Sequence, residues 1–112
     1  MTRRAIVSCY WGGQIEPHQL TYSEQPRRTI KMSCDMTLSQ LREKLYILTE
    51  CNPSIVNLHL SYKLPLESQG SGGRYAIQKI YDDDDVELML SIPELYYGGR
   101  GTVELYIEFE QV

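Results

Sequence analysis

Four consecutive aspartates, Asp82, Asp83, Asp84 and Asp85, with Glu87 two residues on, are the densest group of ionisable oxygens in the sequence. Carboxylates gathered this way can ligate a hard cation, work as an acid–base pair, or present a charged surface to a basic partner. A calcium loop of the EF-hand kind requires glycine at its sixth position and glutamate at its twelfth. Counted from Asp83, the twelfth residue is Glu94 but the sixth is Leu88, so that motif fails. A looser metal-binding protein is the weakest alternative. Paired carboxylates catalyse when burial in a cleft separates their pKa values, and four adjacent acids in so small a domain offer no such cleft. His18 and His59 have no nucleophilic Ser or Cys in a recognisable setting, and "GSGG" leads into no lysine-capped helix. The expectation is a protein that is not an enzyme and carries no cofactor.

That leaves charge as the chemistry of the run. The basic residues gather elsewhere, as Arg3 with Arg4 and as Arg27, Arg28 and Lys31, so the charge is segregated rather than merely negative. Complementary patches of this kind steer association and fix register more than they add affinity. A net charge of −4 disfavours nucleic-acid binding, which rests on neutralising phosphates. Cys9, Cys34 and Cys51 are odd in number and widely spaced, which suits free thiols in a reducing compartment better than a disulfide framework or a zinc site. No apolar run approaches the ~18 residues of a membrane span, and the start lacks the pattern of a signal peptide. The chain reads as intracellular.

The elements that must hold these residues follow from periodicity. At 112 residues, 42% apolar and 23% charged, the chain suits one domain around one core. "RRAIVSCYW" reads as a strand stopped by Gly12-Gly13, and "RRTIKMSC", with Ile30 and Met32 alternating, as a second that pairs with it as a hairpin. The long connection between them, Gln14 to Gln25, holds turn residues and a short extended piece. The period then changes. Leu38, Leu41, Leu45 and Leu48 form one stripe of a helix over about residues 37–51, opened by a Thr37/Gln40 capping box and stopped by Asn52-Pro53. "SIVNLHLSYKLP" alternates Val56, Leu58 and Leu60 against Asn57, His59 and Ser61, a half-buried strand, and His59 reads as a solvent-facing residue. A loop over 66–74, a short strand "YAIQKI", the acidic loop, and a short helix or turn stopped by Pro93 come next. After the loop "YYGGRG", the last strand sets Val103, Leu105, Ile107 and Phe109 inward and Glu104, Tyr106, Glu108 and Glu110 outward.

This order predicts an α+β fold of the β-grasp, ubiquitin-like kind. A mixed four- to five-stranded sheet packs on one main helix, with a short second helix after the acidic loop. A split βαβ sandwich would need a second full-length helix. The segment "RYAIQKIYDDDDVELML", after hairpin, helix and strand, resembles the acidic motif of Phox-and-Bem (PB-one) domains. The whole is also similar to the PB-one-like N-terminal modules of plant Mutator-like transposases and their domesticated relatives. There the likeness rests on Asp83-Asp84-Asp85-Val86, Met89-Leu90 and Val103-Glu104-Leu105-Tyr106-Ile107.

The resemblance implies an interaction module whose acidic loop grips a basic face, on the first two strands of a like or related domain, front to back. Asp82, Asp83, Asp84, Asp85 and Glu87 would be the acidic side; Arg3, Arg4, Arg27, Arg28 and Lys31 the basic side. Homo-oligomers are then an option, and residues 1–112 would be the N-terminal piece of a longer chain, nuclear if the transposase likeness holds and cytoplasmic otherwise. The family's first-strand lysine is replaced by Ile6, Val7 or Ser8, and no glycine separates the acids, so an acidic-only module is an open alternative. Nine tyrosines and Trp11 support another, docking through an aromatic or apolar patch.

Overall fold

The computed structural model describes residues 3–18, 20–66, 74–98 and 101–112. Most of the loop expected over 66–74, and Gly99 and Arg100 of the glycine-rich stretch, lie outside the described residues. The elements are β1 (Arg4–Tyr10), β2 (Ile15–Glu16), β3 (Thr21–Tyr22), β4 (Arg28–Ser33), α1 (Leu38–Thr49), β5 (Val56–Pro65), β6 (Tyr75–Lys79), α2 (Asp83–Tyr97) and β7 (Val103–Gln111). Five strands make one mixed sheet in the order β4-β1-β7-β5-β6, giving an α+β fold. β1 pairs antiparallel with β4, as the hairpin reading expected, and parallel with β7. The second helix is long enough for a split βαβ sandwich, but two paired strands precede α1, which that sandwich does not allow.

α1 follows its sequence signals closely. The Thr37 hydroxyl accepts from the Gln40 N–H at 3.2 Å, and the Thr37 N–H donates to the Gln40 side chain at 2.9 Å, closing the capping box. Leu41 and Leu45 are fully buried, and Leu38 and Leu48 pack partly buried beside them. The helix stops before Asn52-Pro53, however. Glu50 turns left-handed at φ 59°, so that its N–H and that of Cys51 return to the Ile47 and Tyr46 carbonyls.

α2 overturns the expectation of an acidic loop followed by a short helix stopped at Pro93. It is 15 residues long, begins inside the aspartate run and carries Pro93 in its interior. A proline there removes the N–H owed to the Met89 carbonyl and costs about 3 kcal/mol. Met89, Leu90 and Ile92 are each almost fully buried, and at about 1.5–3 kcal/mol per side chain their burial exceeds that cost. The helix ends at Gly98, left-handed at φ 61°.

One side of the sheet, carrying Val7, Cys9, Leu60, Tyr62, Leu105 and Ile107, packs against Leu41 and Leu45 of α1 and Val86, Met89 and Leu90 of α2 in one core. On the other side the β2–β3 hairpin folds back over the strands. Its Tyr22 ring stacks on Tyr106 at 5.5 Å and 5°, with Tyr10 completing a cluster. Tyr106, expected to face outward, is therefore fully buried. Phe109, expected inward, is 42% exposed, because β7 runs past the end of β1 there and only β5 flanks it.

Candidate functional site

The aspartate run is first of all a capping device. The Asp82 carboxylate accepts from the Asp85 N–H at 2.9 Å as N-cap of α2. The Asp85 carboxylate reaches back to the Tyr81 N–H at 2.8 Å. Asp83 turns to the other helix and accepts from the Leu38 N–H, at the start of α1, at 2.7 Å. The first-turn N–H groups and the positive end of the helix dipole make this a favourable place for negative charge. That explains how four like charges coexist. It also divides them by role, since Asp82 and Asp85 close the start of α2 and Asp83 ties that start to α1. Asp84 and Glu87 are exposed, and among the described residues their carboxylates enter no hydrogen bond or ion pair.

Beside this helix start, a groove of about 550 Å³ runs between α2 and the β4–α1 connection, with Arg3, Thr37, Asp83 and Glu87 on its walls. The Arg3 guanidinium pairs with the Glu94 carboxylate. Arg3, expected in the basic set, thus stands on the acidic side and already has a counterion. Both side chains are more than half exposed, so the pair contributes only about 0–1 kcal/mol.

The rest of the basic set is also dispersed. Arg27 donates through Nε to the Trp11 carbonyl at 2.6 Å, lies over the Trp11 ring, and approaches Glu24 at 3.6 Å. It fastens the turn after β1, where Gly12 sits at φ 89° and a Cβ would meet the guanidinium at 2.4 Å. Arg28 opposes the buried Cys9 across the β1–β4 ladder and so projects on the helix side, from an edge strand. Lys31 opposes Ile6 and Arg4 opposes Ser33, which places both on the other side of the sheet, around the 41% exposed Ile6. Of the five basic residues, only Arg4 and Lys31 come together.

The aromatic alternative meets a similar division. Tyr62 and Tyr106 are fully buried, whereas Tyr81, just before α2, is 70% exposed. Burial, then the Glu104 carboxylate, pushes the Tyr10 hydroxyl up to about 12. Burial likewise raises the Cys9 thiol to about 12. Cys9, Cys34 and Cys51 are free thiols, buried or half-buried. His59 faces solvent with Glu110 at 3.0 Å. Among the described residues no three His, Cys, Asp or Glu side chains are placed to share a metal ion, and no helix is long and apolar enough to cross a membrane.

Two residues of this region escaped the sequence reading. Glu94 lies seven residues after Glu87 on one side of α2, a relation visible only once the helix is carried through Pro93. Tyr22 lies in a segment whose two-residue strands are too short to show a period. The chain matches no protein-family model, no curated protein and no solved structure.

Proposed function

We propose that this chain is a ubiquitin-like, β-grasp interaction module that associates with a like domain through charge. The acidic start of α2 docks on a basic surface of the partner, and the module works by binding rather than by catalysis. The fold part of the reading is supported by the strand order, with first and last strands parallel and central and a helix after the second long strand. The functional part rests on one observation. The available carboxylates, Asp84 and Glu87, lie on the helix layer, while Arg4 and Lys31 lie on the opposite side of the sheet. Two such patches on opposite sides favour a front-to-back contact between copies, a heterologous arrangement that extends into chains unless it closes. The nuclear, transposase-related setting belongs to the same proposal and rests on the sequence resemblance alone.

The test is a pair of charge-reversed chains. Asp84→Lys with Glu87→Lys leaves the three capping aspartates in place, and Arg4→Glu with Lys31→Glu alters the other side. Wild type should self-associate at low ionic strength and lose about tenfold in association at high ionic strength, by screening of exposed charge. Each variant alone should be monomeric, and an equimolar mixture should associate again, because the intact patches pair and the reversed patches are complementary to each other. Sedimentation velocity reads all three states. A wild-type chain that stays monomeric at low salt, with no complex in the mixture, would overturn the reading.

A further inference from the structure

β5 is ten residues long, but only Ser61 and Tyr62 have a strand on both sides. β7 pairs with Val56 to Tyr62, whereas β6 begins its pairing at Ser61 and runs on to Pro65. Among the described residues, the edge from Val56 to Leu60 therefore has no neighbouring strand on the β6 side. Such an edge is a template for pairing with another chain, and folded proteins usually blunt it with charge, proline or a bulge. "VNLHL" contains no Lys, Arg, Asp, Glu or Pro, and it alternates apolar and polar as a pairing strand should.

The protection comes from α1 instead. Arg42 donates to the Leu58 carbonyl at 2.9 Å, and the Tyr46 hydroxyl donates to the Val56 carbonyl at 2.7 Å. The two side chains brace each other, guanidinium to hydroxyl at 3.4 Å and guanidinium over ring at 5.9 Å. The Leu60 carbonyl, next along, accepts from the Ile80 N–H at 2.9 Å as the chain leaves β6. Alongside runs a groove of about 770 Å³ with Leu38, Arg42, Leu58 and Tyr81 on its walls.

We infer that the Val56–Leu60 edge of β5 is a latent strand-pairing surface for a second copy of this chain, held closed by Arg42 and Tyr46. A second copy is the occupant because the edge complements itself. An antiparallel pair centred on Leu58 sets Leu58 against Leu58 and Val56 against Leu60 on the helix side, and Asn57 against His59 on the other. That is an isologous two-fold contact. No like charges face each other in it. With the Val56 N–H held by the Asn52 carbonyl and the Leu60 carbonyl by the Ile80 N–H, the bonds left for the pair are Leu58 N–H to Leu58 carbonyl and Leu60 N–H to Val56 carbonyl, each made twice.

The experiment removes the two donors and keeps their bulk, as Arg42→Met with Tyr46→Phe. Association is followed by sedimentation equilibrium at moderate ionic strength in an Asp84→Asn, Glu87→Gln background, which lacks the acidic patch, so that the proposed function is not being read and charges on the edge are not screened. The variant should dimerise at least tenfold more tightly than that background alone. Tyr46→Phe alone, which uncovers only the Val56 carbonyl, should show a smaller rise. Adding Asn57→Lys and His59→Lys should return the double variant to monomer. These lysines face Glu110 and Glu108 of β7 within a chain, which suits the monomer, but each other across the two-fold. A variant of native circular dichroism that stays monomeric, or association that the two lysines leave unchanged, would overturn the inference. If the double variant fails to fold, Tyr46→Phe with and without the lysines decides by the same criteria.

Discussion

α1 and α2 are similar in length and lie on the same side of the sheet, yet they differ in how their sequences define them. α1 has one buried stripe, a capping box and a left-handed stop. α2 buries Val86, Met89 and Leu90, but also exposes Leu88 at 37% and Leu95 at 60%, starts on four aspartates and tolerates an internal proline. A helix defined by one stripe can be read from local spacing. A helix held by what lies beneath it can be read only with the sheet in view.

Core truncation should separate the two sides of these helices most strongly. Leu45→Ala, at a fully buried position under α1, should cost about 2–5 kcal/mol of unfolding free energy. Leu95→Ala, on the outer side of α2, should change stability by no more than about 0.5 kcal/mol. Urea unfolding of the two variants checks the contrast. A comparable loss for Leu95→Ala would mean that its side is not solvent-facing in solution.

The seats beneath the helices differ as well. α1 rests on its leucines, whereas Tyr62 lies close enough to Asp85 and Tyr96 of α2 to feel their charge. Its hydroxyl is buried, with no hydrogen-bond partner among the described residues. Burial first, then Asp85, raises that hydroxyl from its ordinary 10.0 to about 12. The folded chain therefore holds a proton that the unfolded chain releases, so this part of the stability is intact below pH 10 and disappears as pH rises toward 12. Tyr62→Phe should flatten that alkaline decline. At neutral pH it should stabilise the fold by about 1 kcal/mol, because it removes a buried hydroxyl that no described residue partners. Thermal melts across pH 7 to about 12 read both effects, and an unchanged alkaline limb would remove Tyr62 from the account.

What the sequence disclosed about the fold divides along the same line. The leucine stripe of α1 and the alternation of β5 were legible because each shows as a local period, and the pairing of β1 with β4 because they are successive long strands. The extent of α2 was not, since proline normally ends a helix and only the burial of Ile92 with its neighbours explains the exception. The burial of Tyr106 was hidden for a related reason. It depends on Tyr22, 84 residues away in a hairpin with no period of its own. At the candidate site the acids were recognised as a group but not sorted, because Asp83 serves α1 and the approach of α1 cannot be seen from α2 alone. The basic set separated because neighbouring residues of a strand project to opposite sides of the sheet.

The smallest expected effects sort the aspartates themselves. Asp82→Ala removes the N-cap of α2 and should cost about 1 kcal/mol. Asp83→Ala removes the carboxylate that meets the start of α1, also at about 1 kcal/mol, because a charged acceptor is lost but the site is exposed and water replaces part of it. A double variant with Thr37→Ala, the cap from the α1 side, should depart from additivity, since both side chains serve first-turn N–H groups of one helix. Asp84→Asn should lie within about 0.5 kcal/mol of wild type. If Asp84→Asn proved as costly as Asp82→Ala, Asp84 would be a structural acid like its neighbours, and Glu87 alone would remain uncommitted to the fold. If it proves silent in folding yet weakens association, the run is two things at once: three acids that cap α2 and tie it to α1, and one, together with Glu87, that is free to meet a partner.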